Sequence, residues 1–282
     1  MRRDPRMTLT AATTALMLLG SLDAVSGQSA AQGVNVHEAV VYGEHQGSAL
    51  VADLAYPETD GLMPAIIYVH GGSWRAGSRN GNGALDVVQW AGHGFFAMTI
   101  DYRLVLATPA PAAYQDVQTA IRWMHAHAES FGVDPDRIYL IGNSAGGHLV
   151  SLAATLGDGP YPRTGGWEDA RSDVRAVISV SGAYDVNKLS WGNLWTPISG
   201  DAEEARRVAS PIRHVSGDTR PILIIHSNDD QAVPVEQALG MVEALDRAGA
   251  HHRFVRWEDT GHMGILPEVV REARAFIAEI EG

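Results

Sequence analysis

The segment Gly142-Asn143-Ser144-Ala145-Gly146-Gly147 restricts the folds open to this chain more than any other. It follows an apolar run, Arg137-Ile138-Tyr139-Leu140-Ile141. It precedes a helix-like stretch, His148-Leu149-Val150-Ser151-Leu152-Ala153-Ala154. Strand, Gly-x-Ser-x-Gly and helix in that order form a nucleophile elbow, a turn so tight that the serine backbone is strained. The flanking glycines remove Cβ atoms that would clash there. The serine hydroxyl is then expected at the carboxyl end of a sheet, with a helix N-terminus behind it that favours developing negative charge. The competing reading is a plain glycine-rich turn whose serine caps the helix.

A nucleophilic serine needs a base, an orienting acid and donors for an oxyanion. Pro64-Ala65-Ile66-Ile67-Tyr68-Val69 is a β-branched apolar run of the kind buried on both faces of a sheet. It leads into His70-Gly71-Gly72-Ser73-Trp74, where glycines let backbone N–H groups approach a substrate oxygen. Gly72, Ser73 and Ala145 are therefore candidate oxyanion donors. Pro221-Ile222-Leu223-Ile224-Ile225-His226 reads as another buried strand, with Asp229 and Asp230 just beyond it. A carboxylate so placed can hold the tautomer of a histidine on the next loop. Arg253-Phe254-Val255-Arg256-Trp257 reads as a strand and leads to His262 in a glycine-flanked loop. The chain has 12 histidines, so one alone carries little weight. His262 stands out because it follows the serine and the aspartates in the order Ser…Asp…His. His125 and His127, two apart on a helix, cannot share a face, and His251 and His252 point to opposite faces of a strand. No metal-binding pattern, glycine-rich dinucleotide fingerprint or phosphate loop is read here, so no cofactor is expected.

These segments resemble the α/β-hydrolase superfamily, in particular bacterial esterase/lipase-like members with an HGG-x-W oxyanion motif. The resemblance runs from about Val36 to Ile280. Further carriers are Asp101-Tyr102-Arg103-Leu104, Ala112-Ala113-Tyr114-Gln115-Asp116-Val117, Gly132-Val133-Asp134-Pro135-Asp136-Arg137-Ile138 and Ala209-Ser210-Pro211-Ile212. The chain order Ser144…Asp230…His262 is the order of that superfamily. In these relatives the acid lies four residues after the strand-end histidine and four before a proline. The resemblance therefore implies Asp230, between His226 and Pro234, and leaves Asp229 as a surface-turn carboxylate. Two departures stand out. Ser227 occupies a position where relatives often have glycine, which touches the turn and not the triad. Asn143 occupies one where many have Glu or Asp, which alters a buried hydrogen bond near the site.

At 282 residues with 45% apolar content, the chain can bury one sizeable α/β core. Strands are expected near 36–42, 48–56, 64–69, 95–100, 137–142, 175–180, 221–226 and 252–257. Helices are expected near 82–92, 112–130, 145–156, 201–208, 234–248 and 267–280. The expected fold is thus an α/β-hydrolase fold: a mostly parallel eight-stranded sheet with helices on both faces. Residues 157–175 and 183–215 are irregular and carry Trp167, Tyr184, Trp191 and Trp195. They read either as a short lid over the catalytic face or as ordinary packing under long loops. Trp74, Tyr102, Trp191 and Trp195 are the candidates for a substrate pocket.

Residues 1–31 read as a secretory signal peptide. Arg2, Arg3 and Arg6 form a positive start, residues 9–19 are mostly apolar, and Ser29-Ala30-Ala31 offers small residues for cleavage. A short signal anchor is the alternative. The apolar stretch is short for a membrane span. Residues 32–282 then form a single catalytic domain, secreted or periplasmic. The formal charge of −12 disfavours nucleic acid as a partner. With no cysteine, the core alone must hold the fold. Together these features imply a serine carboxylic-ester hydrolase acting on a small-molecule or polysaccharide-linked ester. A peptidase or amidase of the same fold, or a non-catalytic hydrolase-like binding protein, is the alternative.

Overall fold

A computed structural model describes residues 33–282. The expected leader at 1–31 lies outside them. Eight strands form one sheet: β1 (Val34–His45), β2 (Ser48–Pro57), β3 (Met63–Val69), β4 (Phe96–Ile100), β5 (Val133–Asn143), β6 (Ala176–Val180), β7 (Ile222–Ser227) and β8 (His252–Trp257). Their spatial order is β1-β2-β4-β3-β5-β6-β7-β8. The pairs β1–β2 and β2–β4 are antiparallel, and β3 through β8 are parallel. The central runs are buried on both faces, which explains why β3, β4, β6 and β7 read as unbroken apolar segments.

Among the described residues there are six helices: α1 (Val87–Gly92), α2 (Ala112–Phe131), α3 (Ala145–Leu156), α4 (Ala202–Val208), α5 (Glu236–Ala248) and α6 (Pro267–Glu281). Helix α4 packs on the short turns at 186–188 and 211–213, and the others pack on the sheet. Strand periodicity sends alternate side chains to opposite faces. Ile67, Val69 and Leu140 pack with α2, α3 and α5. Ile66, Tyr68, Tyr139 and Ile141 pack with α1 and α6. The amphipathic pattern of α6 is spent on this second face through Val269, Val270, Ala273, Phe276 and Ile277.

Two expectations need correction. The helix expected at 82–92 is shorter and begins at Val87. Asp86 caps it by accepting from the N–H groups of Val88 and Gln89, and the preceding Gly81-Asn82-Gly83 stays a loop. Residues 157–175 do not form a lid. They strap across α2 to the far edge of the sheet, where Thr119 and Arg122 donate to the Thr164 carbonyl at 2.6 Å each. Trp167 donates to the Tyr42 carbonyl on β1 and packs its ring against His127. The second irregular segment, 183–215, holds three 3₁₀ turns and α4.

The β4 exit loop is fixed by a buried ion pair. Asp116, fully buried on α2, accepts from the Arg103 backbone N–H at 2.7 Å and from its guanidinium Nη2 at 2.6 Å. This loop carries Tyr102 beneath the His70 segment. Asp116→Ala leaves the largely covered Arg103 cation without a carboxylate partner. Removing one partner of a buried pair costs about 3–5 kcal/mol. Urea unfolding of the variant is expected to show a loss of that size.

Candidate active site

The sheet order brings the two candidate loops together. β3 and β5 are neighbours in the register Val69↔Gly142, so the chain leaving β3 emerges beside the elbow. Ser144 sits between β5 and α3 with φ 56° and ψ −119°. A non-glycine residue in this region is strained and persists only where its surroundings impose it. The imposing contacts are visible. The Ser144 N–H donates to the Val180 carbonyl at 2.8 Å, and its carbonyl accepts from the His148 N–H at 2.9 Å. A Cβ on Gly146 would stand 1.9 Å from the Val69 carbonyl oxygen, so only glycine lets α3 start this close to β3.

Strain concentrates at this end of the sheet. Among the described non-glycine residues, seven have positive φ. Four of them, Ser73, Trp74, Ser144 and Ser181, follow the carboxyl ends of β3, β5 and β6. Gly72 has φ +108°, and its carbonyl accepts from Arg75 and Ala76 to close the turn. Among the described residues, no acceptor takes the N–H groups of Gly72, Ser73 or Ala145. Ala145 is also the first residue of α3, where the helix dipole favours an anion.

His262 Nδ1–H donates to both oxygens of Asp230, at 2.8 and 3.0 Å. The lone pair of Nε2 is thereby left for a proton. Asp230 Oδ1 also accepts from the Ala232 and Val233 N–H groups at 2.9 Å each. Burial raises the Asp230 pKa, but the bonds from His262, the Val233 N–H and the Ser181 hydroxyl outweigh it. The carboxyl therefore titrates below the usual aspartate range. Ser144 and His262 line one cavity of about 370 Å³, together with Tyr68, His70, Gly72 and Ser73. A second, wider groove of about 470 Å³ between α1 and α6 is lined by Gln89, His93, Arg271 and Arg274 and contains no candidate nucleophile.

Of the four aromatic candidates, Trp191 alone lines the cavity. Its Nε1–H donates to the Ala232 carbonyl at 3.0 Å, which ties the 183–215 segment to the Asp230 loop. Trp74, Tyr102 and Trp195 are buried behind it. Trp74 and Trp195 pack around the fully buried His148. Nδ1 of His148 accepts from Trp74 Nε1, and its Nε2–H donates to the Ala209 carbonyl. Burial lowers the His148 pKa to about 4, so it is neutral packing. Tyr102 stacks on His70 at 4.1 Å and donates to the His70 carbonyl. These three shape the loops from below, a role their aromatic character did not distinguish from lining.

The two departures and Asp229 also find partners. Asn143 accepts from Tyr68 Oη at 2.9 Å and donates to the Met263 carbonyl at 3.3 Å, so it links the Ser144 turn to the His262 loop. An ionised carboxylate could not make the second bond. Asp229 is exposed but not idle. Its Oδ1 accepts from the Gly261 N–H at 2.8 Å and from Ser227 Oγ–H at 2.6 Å. Ser227 is buried and reaches the His262 loop as well, so the substitution there is not confined to its own turn. Adjacent polar residues in a turn gave no sequence signal for these bonds, because their partners lie some thirty residues on.

The BD-FAE family model matches residues 52–245. The chain belongs to the BD-FAE family. It is 33% identical over 222 residues to the probable carboxylic ester hydrolase LipM of Mycobacterium tuberculosis, covering 73% of this chain and 51% of that protein. It is 34% identical over 203 residues to the esterase LipC of the same organism, covering 64% and 48%. The chain thus spans about half the length of these relatives. Among solved structures it is similar to a truncated carbohydrate esterase from gut microbiota. That match has TM-score 0.78 and 25% identity, over 90% of this chain and 99% of that one. It is also similar to butyrate-bound Est2, an esterase of Thermogutta terrifontis. Here the TM-score is 0.74 and the identity 26%, over 88% and 95%. Fold and relatives make it an esterase/lipase-like member of the α/β-hydrolase superfamily.

Among the described residues, no group of three or more His, Cys, Asp or Glu side chains could hold a metal ion, and no helix is long and apolar enough to cross a membrane. The Asp230–His262 pair generates a prediction. Asp230→Asn presents an amide that favours the wrong imidazole tautomer, which lowers kcat by about 10⁴-fold in another triad. A comparable fall in steady-state turnover, with circular dichroism unchanged, is expected.

Proposed function

We propose that this protein is a serine carboxylic-ester hydrolase working through Ser144, His262 and Asp230. Ser144 Oγ attacks the ester carbonyl carbon as His262 Nε2 takes its proton. The tetrahedral oxyanion accepts from the Ala145 N–H and from the Gly72 and Ser73 N–H groups. His262 then protonates the departing alkoxide, and an acyl group remains on Ser144. Water, deprotonated by the same imidazole, releases the acid. Asp230 stays ionised throughout and stabilises the imidazolium.

The observation that carries this reading is the strained Ser144 in one cavity with an imidazole whose other nitrogen is already committed to a buried carboxylate. The uncommitted N–H groups beside it add the electrostatic part. Such donors lower the barrier most when fixed before the charge develops.

The relatives support esters over amides, since those named above are ester hydrolases. A carbohydrate esterase is among the similar structures, and an acetyl ester-xyloside bifunctional hydrolase shares the fold. The cavity itself is small and partly polar, with Ser78, Asn82 and Trp191 on its wall. Small acyl esters, including those of carbohydrates, are the substrates we assign. The basic, apolar and small-residue pattern of residues 1–31 supports export of the enzyme.

A panel of p-nitrophenyl esters of rising chain length, acetylated xylan and amino-acid anilides tests this reading. Short esters are expected to be cleaved fastest and anilides slowest. Ser144→Ala is expected to lower turnover by at least about 10³-fold, because only binding and the oxyanion donors remain. A fluorophosphonate probe is expected to label the wild type and not this variant. Labelling that persists would remove Ser144 as the nucleophile.

A further inference from the structure

The backbone on both sides of His262 is gripped by side chains from other loops. The Thr260 N–H donates to Ser227 Oγ at 3.0 Å, and the Gly261 N–H to Asp229 Oδ1 at 2.8 Å. The Met263 N–H donates to Ser181 Oγ at 3.2 Å, and the Met263 carbonyl accepts from Asn143 Nδ2. Thus Thr260, Gly261 and Met263 each lose a backbone donor to a side chain.

Two of these grips form a unit. Ser227 Oγ–H donates to the same Asp229 oxygen that holds Gly261, at 2.6 Å. A hydroxyl has one proton to give and lone pairs to accept with. With its proton committed to Asp229, Ser227 turns its lone pairs to the Thr260 N–H. Ser227 ends β7, and Asp229 stands in the turn that follows and supplies Asp230. The acid of the triad and the clamp on the base loop are therefore carried by the last residue of β7 and the turn after it. The bonds from Ser227 and Gly261 hold the Asp229 carboxyl below its ordinary range, which keeps it an acceptor.

We infer that Ser227 and Asp229 form a clasp that positions the general base, acting on the backbone of residues 260–261 and not on the imidazole. The inference rests on His262 being the base of the proposed reaction. Gly261, at φ +65°, has no side chain with which to anchor the loop, so its direction is set by the N–H bonds on either side. Without the clasp, His262 keeps its bond to Asp230 while its Nε2 drifts relative to Ser144. A displacement of about 1 Å in a catalytic group costs on the order of 10²-fold in rate. Asp229 is exposed and outside the hydrophobic core, so this loss is separable from loss of folding.

Steady-state kinetics on p-nitrophenyl acetate test the clasp in Ser227→Ala, Asp229→Ala, Asp229→Asn and the double variant Ser227→Ala/Asp229→Ala, with Ser144→Ala and His262→Ala alongside. Each alanine single variant is expected to lower kcat by about 10- to 100-fold, with KM within about threefold. The double variant is expected to be no worse than the more damaging single one, as for two parts of one device. Asp229→Asn keeps an Oδ1 acceptor and is expected to recover most of the kcat lost in Asp229→Ala. The downfield proton resonance of the His262–Asp230 bond is expected to broaden in the alanine variants while thermal midpoints stay near wild type. Unchanged kcat in Asp229→Ala, additive losses, or equal losses in Asp229→Asn and Asp229→Ala would each overturn the clasp. If Ser227→Ala fails to fold, the two Asp229 variants decide. Activity surviving in Ser144→Ala or His262→Ala would instead refute the underlying reaction, whatever the clasp variants do.

Discussion

Parallel pairing of β3 with β5 in the register Val69↔Gly142 is the constraint on which the Ser144 end of the sheet depends. It places the chain leaving β3 against the turn leaving β5, so donors from one loop face a hydroxyl from the other. The closeness has a steric condition. Any Cβ at residue 146 would meet the Val69 carbonyl oxygen. A one-residue slip would turn every buried side chain of β3 to the opposite face, where it would no longer fit among the side chains packed there. The strained Ser144 conformation is thus held by the cooperativity of the whole sheet, not by local preference.

The electrostatics follow from the same packing. The sheet buries Asp230 but supplies it with enough donors that it remains an anion. For His148 and His70, burial outweighs the bonds to the Ala209 and Gly71 carbonyls and pushes both toward the neutral form. His226 is likewise pushed down by burial despite lying near Asp230. Among the histidines near the elbow, His262 is the one joined to the ionised acid through a ring nitrogen while also lining the cavity with Ser144.

Much of this was legible in the chain. All eight strands lie near their expected positions. Strands β3, β4, β6 and β7 were the plainest, because a strand covered on both faces leaves a continuous hydrophobic trace, whereas the antiparallel β1 and β2 are partly exposed. The pairing of Asp230 with His262 matches the position that the resemblance implies. Reading failed where the outcome hangs on distant partners. The aromatic content of residues 157–175 fitted a lid, yet Arg122 and Thr119 draw that segment to the far side of α2. Trp74 and Trp195 were as aromatic as Trp191 and differ only in which side of the loop they fill. Asp229 and Ser227 looked like turn residues because their bonds reach across to the next loop in space.

The placement of the strap at residues 157–175 has a practical side. It crosses α2 toward β1, and Gly159, Pro160, Glu168 and Asp169 along it are exposed. None of them lines the cavity. The molecule therefore has a working end and a handling side. A support, a label or a fused binding module attached at Glu168 or Asp169 leaves the entrance to Ser144 unobstructed. The anchoring bonds from Thr119 and Arg122 go to Thr164, several residues away, so the attachment point can bear a load without pulling on the elbow.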